Sequence, residues 1–364
     1  MHPYKGLPEE KFWRKFVSET PWSHIEFVGS PKFVLSAQTK LSAAGSCFAQ
    51  HINRHMRKRG LRTFQAEHVH PLVEQGGGES GSYEAFPARF GNIYTSRQCL
   101  EIFRQAFGLR EMVEDFVCQD GRFYDLLRPN AIPGGFSSVE EAKADRVFHL
   151  GKVREMFERS DVFVFTLGLT ESWYNALGSY TYPVCPGTAR GDHVSDIHRF
   201  RNLKHADVVA DLTSLITESR QFNPGLKFIF TVSPVPLVAT HSKHNVLTAS
   251  VYSKSVLRAA CGEVCDQFDG VQYFPSYEIV SHVASFGQYL ASDLREVTER
   301  GVSHVMRYFF ATFYPDRVAG VANADPSTTM AAAEPALEEP NIRKMLESDC
   351  EEMFNDFHRV PSRA

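Results

Sequence analysis

Short apolar runs alternate with stretches of helical periodicity over residues 43–313 of the chain. Four of these runs have the length and continuity of buried strands: residues 41–45, 161–166, 226–232 and 271–274. Between the runs, apolar side chains recur at helical spacing, as at Phe48, Ile52 and Met56. This alternation predicts an α/β fold, a parallel sheet covered by helices on both faces.

The same patterns predict the helices, a further strand, a hairpin and the loops. Helices are predicted at residues 47–59, 96–107, 137–158, 206–222, 248–268 and 298–313. Residues 61–65 resemble a second short strand, and residues 116–127 predict a β-hairpin that turns at Asp120-Gly121. Residues 173–205 and 276–297 carry no clear periodicity, so we predict long loops there.

The first strand stops at Gly45-Ser46, and a helix follows at once. A strand that turns sharply into a helix places the turn at the carboxyl edge of the sheet, where open α/β sheets bind ligands. Gly45 permits the tight turn, from which the Ser46 hydroxyl would project. From this pattern alone, Ser46 is either a functional hydroxyl or a plain N-cap.

Composition narrows the class of protein. The 364 residues carry a net charge of −4, with 43% hydrophobic and 23% charged residues, as in ordinary globular proteins. Without a basic block, we expect no nucleic-acid partner, and no apolar run approaches the length of a membrane span. The N-terminus lacks the apolar core of a secretory signal, and the seven cysteines are scattered, so we expect a cytoplasmic protein with free thiols. The sequence carries no signal for the oligomeric state.

Several loops would meet Ser46 at the carboxyl edge of the sheet. They contain a hydroxyl, glycine turns and a pair of carboxylates: Gly45-Ser46, Gly91-Asn92, Gly168-Leu169-Thr170-Glu171, Ser233-Pro234 and the loop with Asp293 and Glu296. A nucleophile needs a base to accept its proton, and glycine turns can direct N–H groups at an oxyanion. The set is therefore suited to acyl transfer.

The chain resembles the GSCFA-domain family, which is named after the motif Gly45-Ser46-Cys47-Phe48-Ala49. The resemblance covers roughly residues 3–315. Further matching motifs occur in the family's order: residues 90–95 (FGNIYT), 165–173 (FTLGLTESW), 182–188 (YPVCPGT), 231–236 (TVSPVP), 252–254 (YSK) and 273–278 (YFPSYE). The family is bacterial and is similar to SGNH/GDSL-type esterases and acyltransferases, which implies a three-layer αβα, SGNH/flavodoxin-like fold.

Composition and pattern divide the chain into three parts. Residues 1–35 would form an aromatic-rich N-terminal arm packed on the main domain. Residues 36–315 would form an SGNH-like catalytic domain with inserted loops. Residues 316–364 would be a flexible tail, in which residues 341–357 can form one more helix.

The similarity to SGNH enzymes implies roles for individual residues. Ser46 matches the nucleophile, and Gly91, with Asn92 beside it, matches the glycine that donates to the oxyanion hole. Thr170 stands where the third block normally supplies an asparagine donor. Cys47 adjoins Ser46 but would point into the helix, so we rank it below Ser46 as a nucleophile.

The last block, normally Asp-x-x-His, is altered here. Asp293-Leu294-Arg295-Glu296 occupies its position, so Glu296, with Asp293, would replace the histidine. A neighbouring carboxylate or burial can raise the pKa of a glutamate towards neutrality, which general base catalysis requires. Alternatively a histidine of another loop acts, with His241, His244 and His282 as candidates, or the two carboxylates only cap the last helix. His304 lies within the last helix and is expected to pack there or to face solvent.

Two hypotheses of function follow. The first is a serine O-acetyltransferase or acetylesterase that acts on a carbohydrate or polysaccharide precursor, or on another small acyl acceptor. Glu171 and Trp173 would then bind a sugar, unless they form a buried corner of the core. Acetyl-CoA would serve as a donor, with no tightly bound cofactor and no metal, because Cys185 and the nearby histidines match no zinc module. The alternative is a non-catalytic carbohydrate-binding or scaffolding protein with the same fold.

Overall fold

The computed structural model describes residues 2–27, 30–46, 48–61, 63–68 and 85–315. The predicted tail at residues 316–364 lies outside the described residues. Nine strands are present in the described part: β1 (Leu41–Gly45), β2 (Phe116–Gln119), β3 (Arg122–Asp125), β4 (Val162–Leu167), β5 (Glu171–Asn175), β6 (Thr181–Tyr182), β7 (His198–Asn202), β8 (Lys227–Val232) and β9 (Val271–Phe274).

The same residues form seven α-helices: α1 (Phe48–Lys58), α2 (Ser96–Ala106), α3 (Val139–Arg159), α4 (His205–Phe222), α5 (Val246–Gln267), α6 (Ser276–Ser281) and α7 (Glu299–Phe313). Side chains cap several of them where the sequence offers a polar residue. Thr298 Oγ1, for example, accepts the N–H of Gly301 at the start of α7, at 3.2 Å. No helix of the described residues is long and apolar enough to span a membrane.

The central sheet has the order β1-β4-β8-β9, and all of its pairs are parallel. A parallel bridge between Leu41 and Thr63 extends it on the free side of β1. The chain therefore leaves β1 in one direction along the sheet and continues from β4 in the other. The carboxyl ends of β1 and β4 form the switch point at which doubly wound sheets bind ligands.

Two apolar clusters cover the two faces of the sheet. Phe163, Phe165 and Leu167 of β4 pack with the helices α2 to α5. Val162 and Val164 of the same strand pack with α1, α6 and α7. Because alternate residues of one strand enter different cores, the strand is apolar throughout, which is why its sequence predicts it so clearly. The predicted α/β fold, a parallel sheet with helices, is confirmed.

Two of the predicted loops contain regular structure. Residues 173–205 include most of a separate antiparallel sheet with the order β6-β5-β7. Its strands were missed because β7, which reads His-Arg-Phe-Arg-Asn, has only one large apolar residue. The second loop, residues 276–297, begins with the short helix α6.

The N-terminal residues lie against the α7 side of the main domain. The Tyr308 hydroxyl donates to the Ile25 carbonyl at 2.7 Å, and the Leu35 N–H donates to the Phe313 carbonyl at 2.7 Å. Trp22 packs edge-on against Tyr289, with ring centroids 5.5 Å apart. The arm therefore covers apolar surface of the last helix and the loop before it.

Gly45 allows β1 and β4 to approach at the switch point, and its replacement tests that constraint. Its φ is +140°, and a Cβ there would lie 2.3 Å from the Thr166 carbonyl oxygen. We expect Gly45→Ala to lower the free energy of unfolding by about 2–4 kcal/mol, through strain and overpacking. Urea unfolding measures it.

Gly151→Ala is the matched control, because Gly151 lies exposed on α3 with no atom within 4 Å of an added Cβ. The control should raise stability by about 0.5–1 kcal/mol. Equal effects of the two substitutions would contradict the role given to Gly45.

Candidate active site

Ser46 lies directly after β1, at the switch point of the sheet. Its N–H donates to the Thr166 carbonyl of β4 at 3.1 Å, and its own carbonyl accepts the N–H of Ala49 in α1 at 2.8 Å. The Gly45 carbonyl accepts the N–H of Ile93 at 2.8 Å, which brings the segment after Gly91 to the same place. These backbone bonds hold the serine between a strand end and a helix start.

The Ser46 hydroxyl is buried without a hydrogen bond. The residue is only 3% exposed, and its Oγ has no partner among the described residues. A buried hydroxyl in this state costs about 1–3 kcal/mol relative to one that is paired. Such a cost is typical of a group kept for a ligand or a reaction.

The Gly168 loop, residues 168–170, forms one wall beside Ser46. A Cβ on Gly168 would lie 3.3 Å from the Ser46 Cβ and 3.2 Å from the Tyr94 carbonyl oxygen. The N–H groups of Gly168 and Leu169 both donate to that carbonyl, at 2.9 and 3.1 Å. The loop can therefore lie this close only because residue 168 has no side chain.

The three residues predicted to bind the oxyanion differ in the hydrogen bonds that they already make. Gly91 has a φ of +70°, and Asn92 beside it is buried, with an Oδ1 that has no partner among the described residues. Thr170 is fully buried; its N–H donates to Ser253 Oγ at 2.9 Å, and its hydroxyl donates to Asn202 Oδ1 at 2.6 Å. An oxyanion role for Thr170 would require one of these bonds to be released.

The two predicted carboxylates are exposed and lie outside hydrogen-bond distance of Ser46 Oγ. Asp293 Oδ1 accepts the N–H groups of Arg295 and Glu296, at 3.0 and 3.1 Å, so it closes its own turn. The loop leads to α7, whose Glu299 pairs with Arg54 of α1 at 2.7 Å. The loop therefore leads into a helix that is bonded to α1, but neither predicted carboxylate contacts the serine hydroxyl.

Glu171 and Trp173 start β5, directly after the Gly168 loop. Glu171 is 9% exposed and accepts bonds from Thr240 Oγ1 and the His241 N–H, at 2.6 and 3.3 Å. Trp173 is half-buried, and three rings surround it with centroids at 4.9–5.7 Å: His193, Phe200 and His241. We call these four rings the Trp173 cluster.

The other candidate histidines have structural contacts. His244 is exposed, and His282 Nδ1 accepts the N–H of Ala284 at 3.1 Å. His304 stacks on Tyr289 with centroids 4.6 Å apart, and burial lowers its pKa to about 4. Of the predicted alternatives to Glu296, only His241 therefore belongs to a cluster of rings at the carboxyl edge of the sheet.

Sequence reasoning gave no role to two neighbouring residues of α5. Ser253 accepts the Thr170 N–H, and Lys254 Nζ donates to the Gly168 carbonyl at 2.6 Å. Lys254 is only 3% exposed. A signal was available, because Lys254 lies three residues before Leu257 and seven before Cys261, on the buried stripe of the helix.

A buried ionic network, also missed, supports the segment before Gly91. Glu67 is fully buried and accepts both the N–H and the Nε of Arg89, at 2.8 and 2.6 Å. His149 Nδ1 lies 3.1 Å from the same carboxylate, and Arg89 Nη2 donates to Asp145 at 2.8 Å. Burial opposes ionisation of Glu67, but the bonds to His149 and Arg89 hold its pKa below the usual range.

Comparison with known proteins identifies the family. The sequence profile of the GSCFA family matches residues 40–309, so the chain belongs to the GSCFA family, as its motifs predicted. No curated protein sequence matches the chain. A crystal structure of an acetyl esterase mutant with acetate ion shares 12% identity over 79% of this chain and 100% of that chain. The TM-score is 0.34, too low to carry an argument.

Among the described residues, no group of three or more His, Cys, Asp or Glu side chains could hold a metal ion.

Because the Ser46 hydroxyl has no partner among the described residues, we can predict how its removal affects the free energy of unfolding. Ser46→Ala should leave the free energy of unfolding unchanged or raise it by up to about 1 kcal/mol, because no bond is lost. Ser276→Ala is the control, since that buried hydroxyl bonds to Thr231 Oγ1 and the Val232 carbonyl, at 2.6 and 2.9 Å. The control should lose about 1–3 kcal/mol. Urea unfolding of both variants checks this, and an equal loss at Ser46 would show that its hydroxyl is paired.

The lowered pKa of His149 in the ionic network predicts how the stability of the protein depends on pH. Burial, aided by the charge of Arg128, lowers the pKa of His149 from 6.5 to about 4. Between these values the unfolded chain binds a proton that the folded chain does not, so stability falls as the pH is lowered from about 6.5 to about 4. His149→Asn should reduce this fall in urea unfolding. It should not abolish it, because His304 and His55 are shifted in the same direction. An unchanged pH dependence in the variant would contradict the assignment.

Proposed function

We propose that this GSCFA-family protein is an esterase-like serine enzyme that transfers an acyl group through Ser46. The observation that carries the proposal is the buried Ser46 hydroxyl at the switch point of the sheet, which has no hydrogen-bond partner among the described residues. Unpaired polar groups of this kind occur where a ligand or a reacting group completes the hydrogen bonds. Gly168 lies directly against the serine and has no side chain of its own to cover it.

The reaction would follow the usual course of acyl transfer. Ser46 Oγ bonds to the carbonyl carbon of the donor, its proton passes to a base, and the π electrons of the carbonyl move to oxygen. Collapse of this intermediate restores the carbonyl and expels the donor's alcohol or thiol, which takes up a proton. Water or an acceptor hydroxyl then attacks the acyl-serine in the same way, which gives an esterase or a transferase.

The oxyanion would lie near the Gly91-Asn92 segment. This segment reaches Ser46 through the bond between Ile93 and Gly45. The Asn92 Nδ2 group would donate to the developing charge, because the Asn92 Oδ1, like any carbonyl oxygen, can only accept a hydrogen bond. In this proposal Glu296, with Asp293, takes the serine proton after the loop at residues 291–297 moves towards α1.

The acceptor proposed is a carbohydrate hydroxyl, with an acetyl group from acetyl-CoA and a polysaccharide precursor of the cytoplasm as the setting. The Trp173 cluster supports this choice, because aromatic faces pack against the apolar C–H face of a sugar ring. β5, which carries Trp173, begins directly after the Gly168 loop, and that loop lies against Ser46. Thr240 and His241 are tied to Glu171, which keeps the rings in place.

A second candidate function is carbohydrate binding without catalysis. The observation that favours it is that no described histidine or carboxylate hydrogen-bonds to Ser46 Oγ. A nucleophilic serine needs such a base at some stage of its reaction. Under this alternative the Trp173 cluster would bind a sugar, and the serine would have no chemical role.

Hydrolysis of p-nitrophenyl acetate separates the two functions. With Ser46 as nucleophile, Ser46→Ala should lower kcat/KM at least about 100-fold. The control is Ser219→Ala, a buried serine on α4 whose hydroxyl bonds only within its helix, to Ile216; its rate should stay within about twofold. Equal rates for wild type and Ser46→Ala would remove the serine from the reaction, and no turnover by wild type would favour the binding protein.

The carbohydrate acceptor is tested with an acetylated sugar. Trp173→Ala should lower kcat/KM for glucose pentaacetate about tenfold, because one aromatic contact is worth about 1 kcal/mol or more. The rate with p-nitrophenyl acetate, which lacks the sugar ring, should change by less than about twofold. Equal losses on both esters would show that Trp173 supports the fold of the site and does not select a sugar.

A further inference from the structure

Two consecutive residues of α5 hold the Gly168 loop through hydrogen bonds. Lys254 Nζ donates to the Gly168 carbonyl at 2.6 Å, and Ser253 Oγ accepts the Thr170 N–H at 2.9 Å. Both residues are buried, at 3% and 0% exposure. The loop also donates two N–H groups to the Tyr94 carbonyl. The wall beside Ser46 is therefore held both by α5 and by the Tyr94 backbone.

A buried lysine is an expensive way to hold a carbonyl. Removing an ammonium group from water costs several kcal/mol, which a neutral donor in the same position would not incur. The neighbouring positions of the stripe, Leu257 and Cys261, are apolar and fully buried. Position 254 thus belongs to a buried stripe whose next members are apolar.

The position of this charge relates it to Ser46. Lys254 bonds to the carbonyl of the same Gly168 that lies against the serine. A positive charge fixed in a region of low dielectric acts on charge that develops nearby, and it needs no reorientation during the reaction. The acyl oxygen becomes negative only after Ser46 Oγ has added to the carbonyl carbon.

We propose that Lys254 is a positioning residue for acyl transfer at Ser46: its ammonium fixes the Gly168 loop and supplies a permanent positive charge behind it, and Ser253 aligns the same loop at Thr170. The inference depends on the proposed function. Because the charge interacts with the transition state more strongly than with the uncharged ester, its loss lowers kcat and leaves KM nearly unchanged.

Two substitutions separate the charge from the hydrogen bond. Lys254→Gln keeps an N–H donor for the Gly168 carbonyl and removes the charge, whereas Lys254→Arg keeps both. Lys143→Gln is the control for loss of a lysine charge, because Lys143 is half-exposed on α3 and pairs with Glu114 at 2.6 Å. Thermal unfolding of each variant reports whether it folds, and the steady-state rate with p-nitrophenyl acetate gives kcat and KM.

Lys254→Gln should lower kcat at least about 30-fold with KM within about threefold, and Lys254→Arg should retain kcat within about fivefold of wild type. Lys143→Gln should match wild type. A wild-type kcat in Lys254→Gln, or equal losses in both Lys254 variants, would overturn the role of the charge. If Lys254→Gln does not fold, Ser253→Ala decides: it should lower kcat several-fold at constant KM, and an unchanged kcat would overturn the alignment of the loop.

A fluorophosphonate that labels nucleophilic serines distinguishes this inference from the proposed function. Wild type should be labelled at Ser46, and Lys254→Gln should be labelled at least about tenfold more slowly. Labelling of wild type with an equal rate in Lys254→Gln overturns the inference alone. Absence of label on Ser46 in wild type overturns the proposed function and, with it, the role of Lys254.

Discussion

The close approach of two strands at Gly45 is the constraint on which the site depends. Gly45 pairs with Thr166, and a Cβ would lie 2.3 Å from the Thr166 carbonyl oxygen. The strand therefore ends in a backbone conformation that favours glycine, and the next residue, Ser46, is held between the ends of β1 and β4. Gly168 repeats the arrangement from the facing loop, where a side chain would press on Ser46. Glycines at these two positions thus allow the backbone to pack closely around Ser46.

Around Ser46, the protein retains polar groups at some cost to stability. The Ser46 hydroxyl and the Asn92 Oδ1 are buried without partners in the described part of the chain. The surrounding framework is bonded heavily: Glu67 and Arg89 fix the segment before Gly91, and Lys254 fixes Gly168. Rigid surroundings with a few unpaired groups are typical of preorganised sites, because the groups need not exchange partners when a ligand arrives.

The sequence predicts the fold well and the site in part. β4 and β8 are continuous apolar runs because each is buried on both faces, and the glycine and serine after β1 mark the turn. The strands of the small sheet could not be predicted, because their pairing depends on partners in β5 that no local period reveals. The positions of Asp293 and Glu296 in the chain likewise predict that they lie near the edge of the sheet, but not where their carboxylates point. Lys254 was visible as a charge on an apolar stripe, but only the structure shows which carbonyl it binds.

The central claim is that Ser46 carries the acyl group, and trapping the intermediate tests it directly. The protein is mixed with p-nitrophenyl acetate, quenched in acid, digested and analysed by peptide mass spectrometry with fragmentation that distinguishes Ser46 from Cys47. The account predicts one acetyl group on Ser46 in wild type and none on this peptide in Ser46→Ala. Ester turnover with the acetyl group on Cys47 or on another residue, or with Ser46 unmodified throughout, would contradict it.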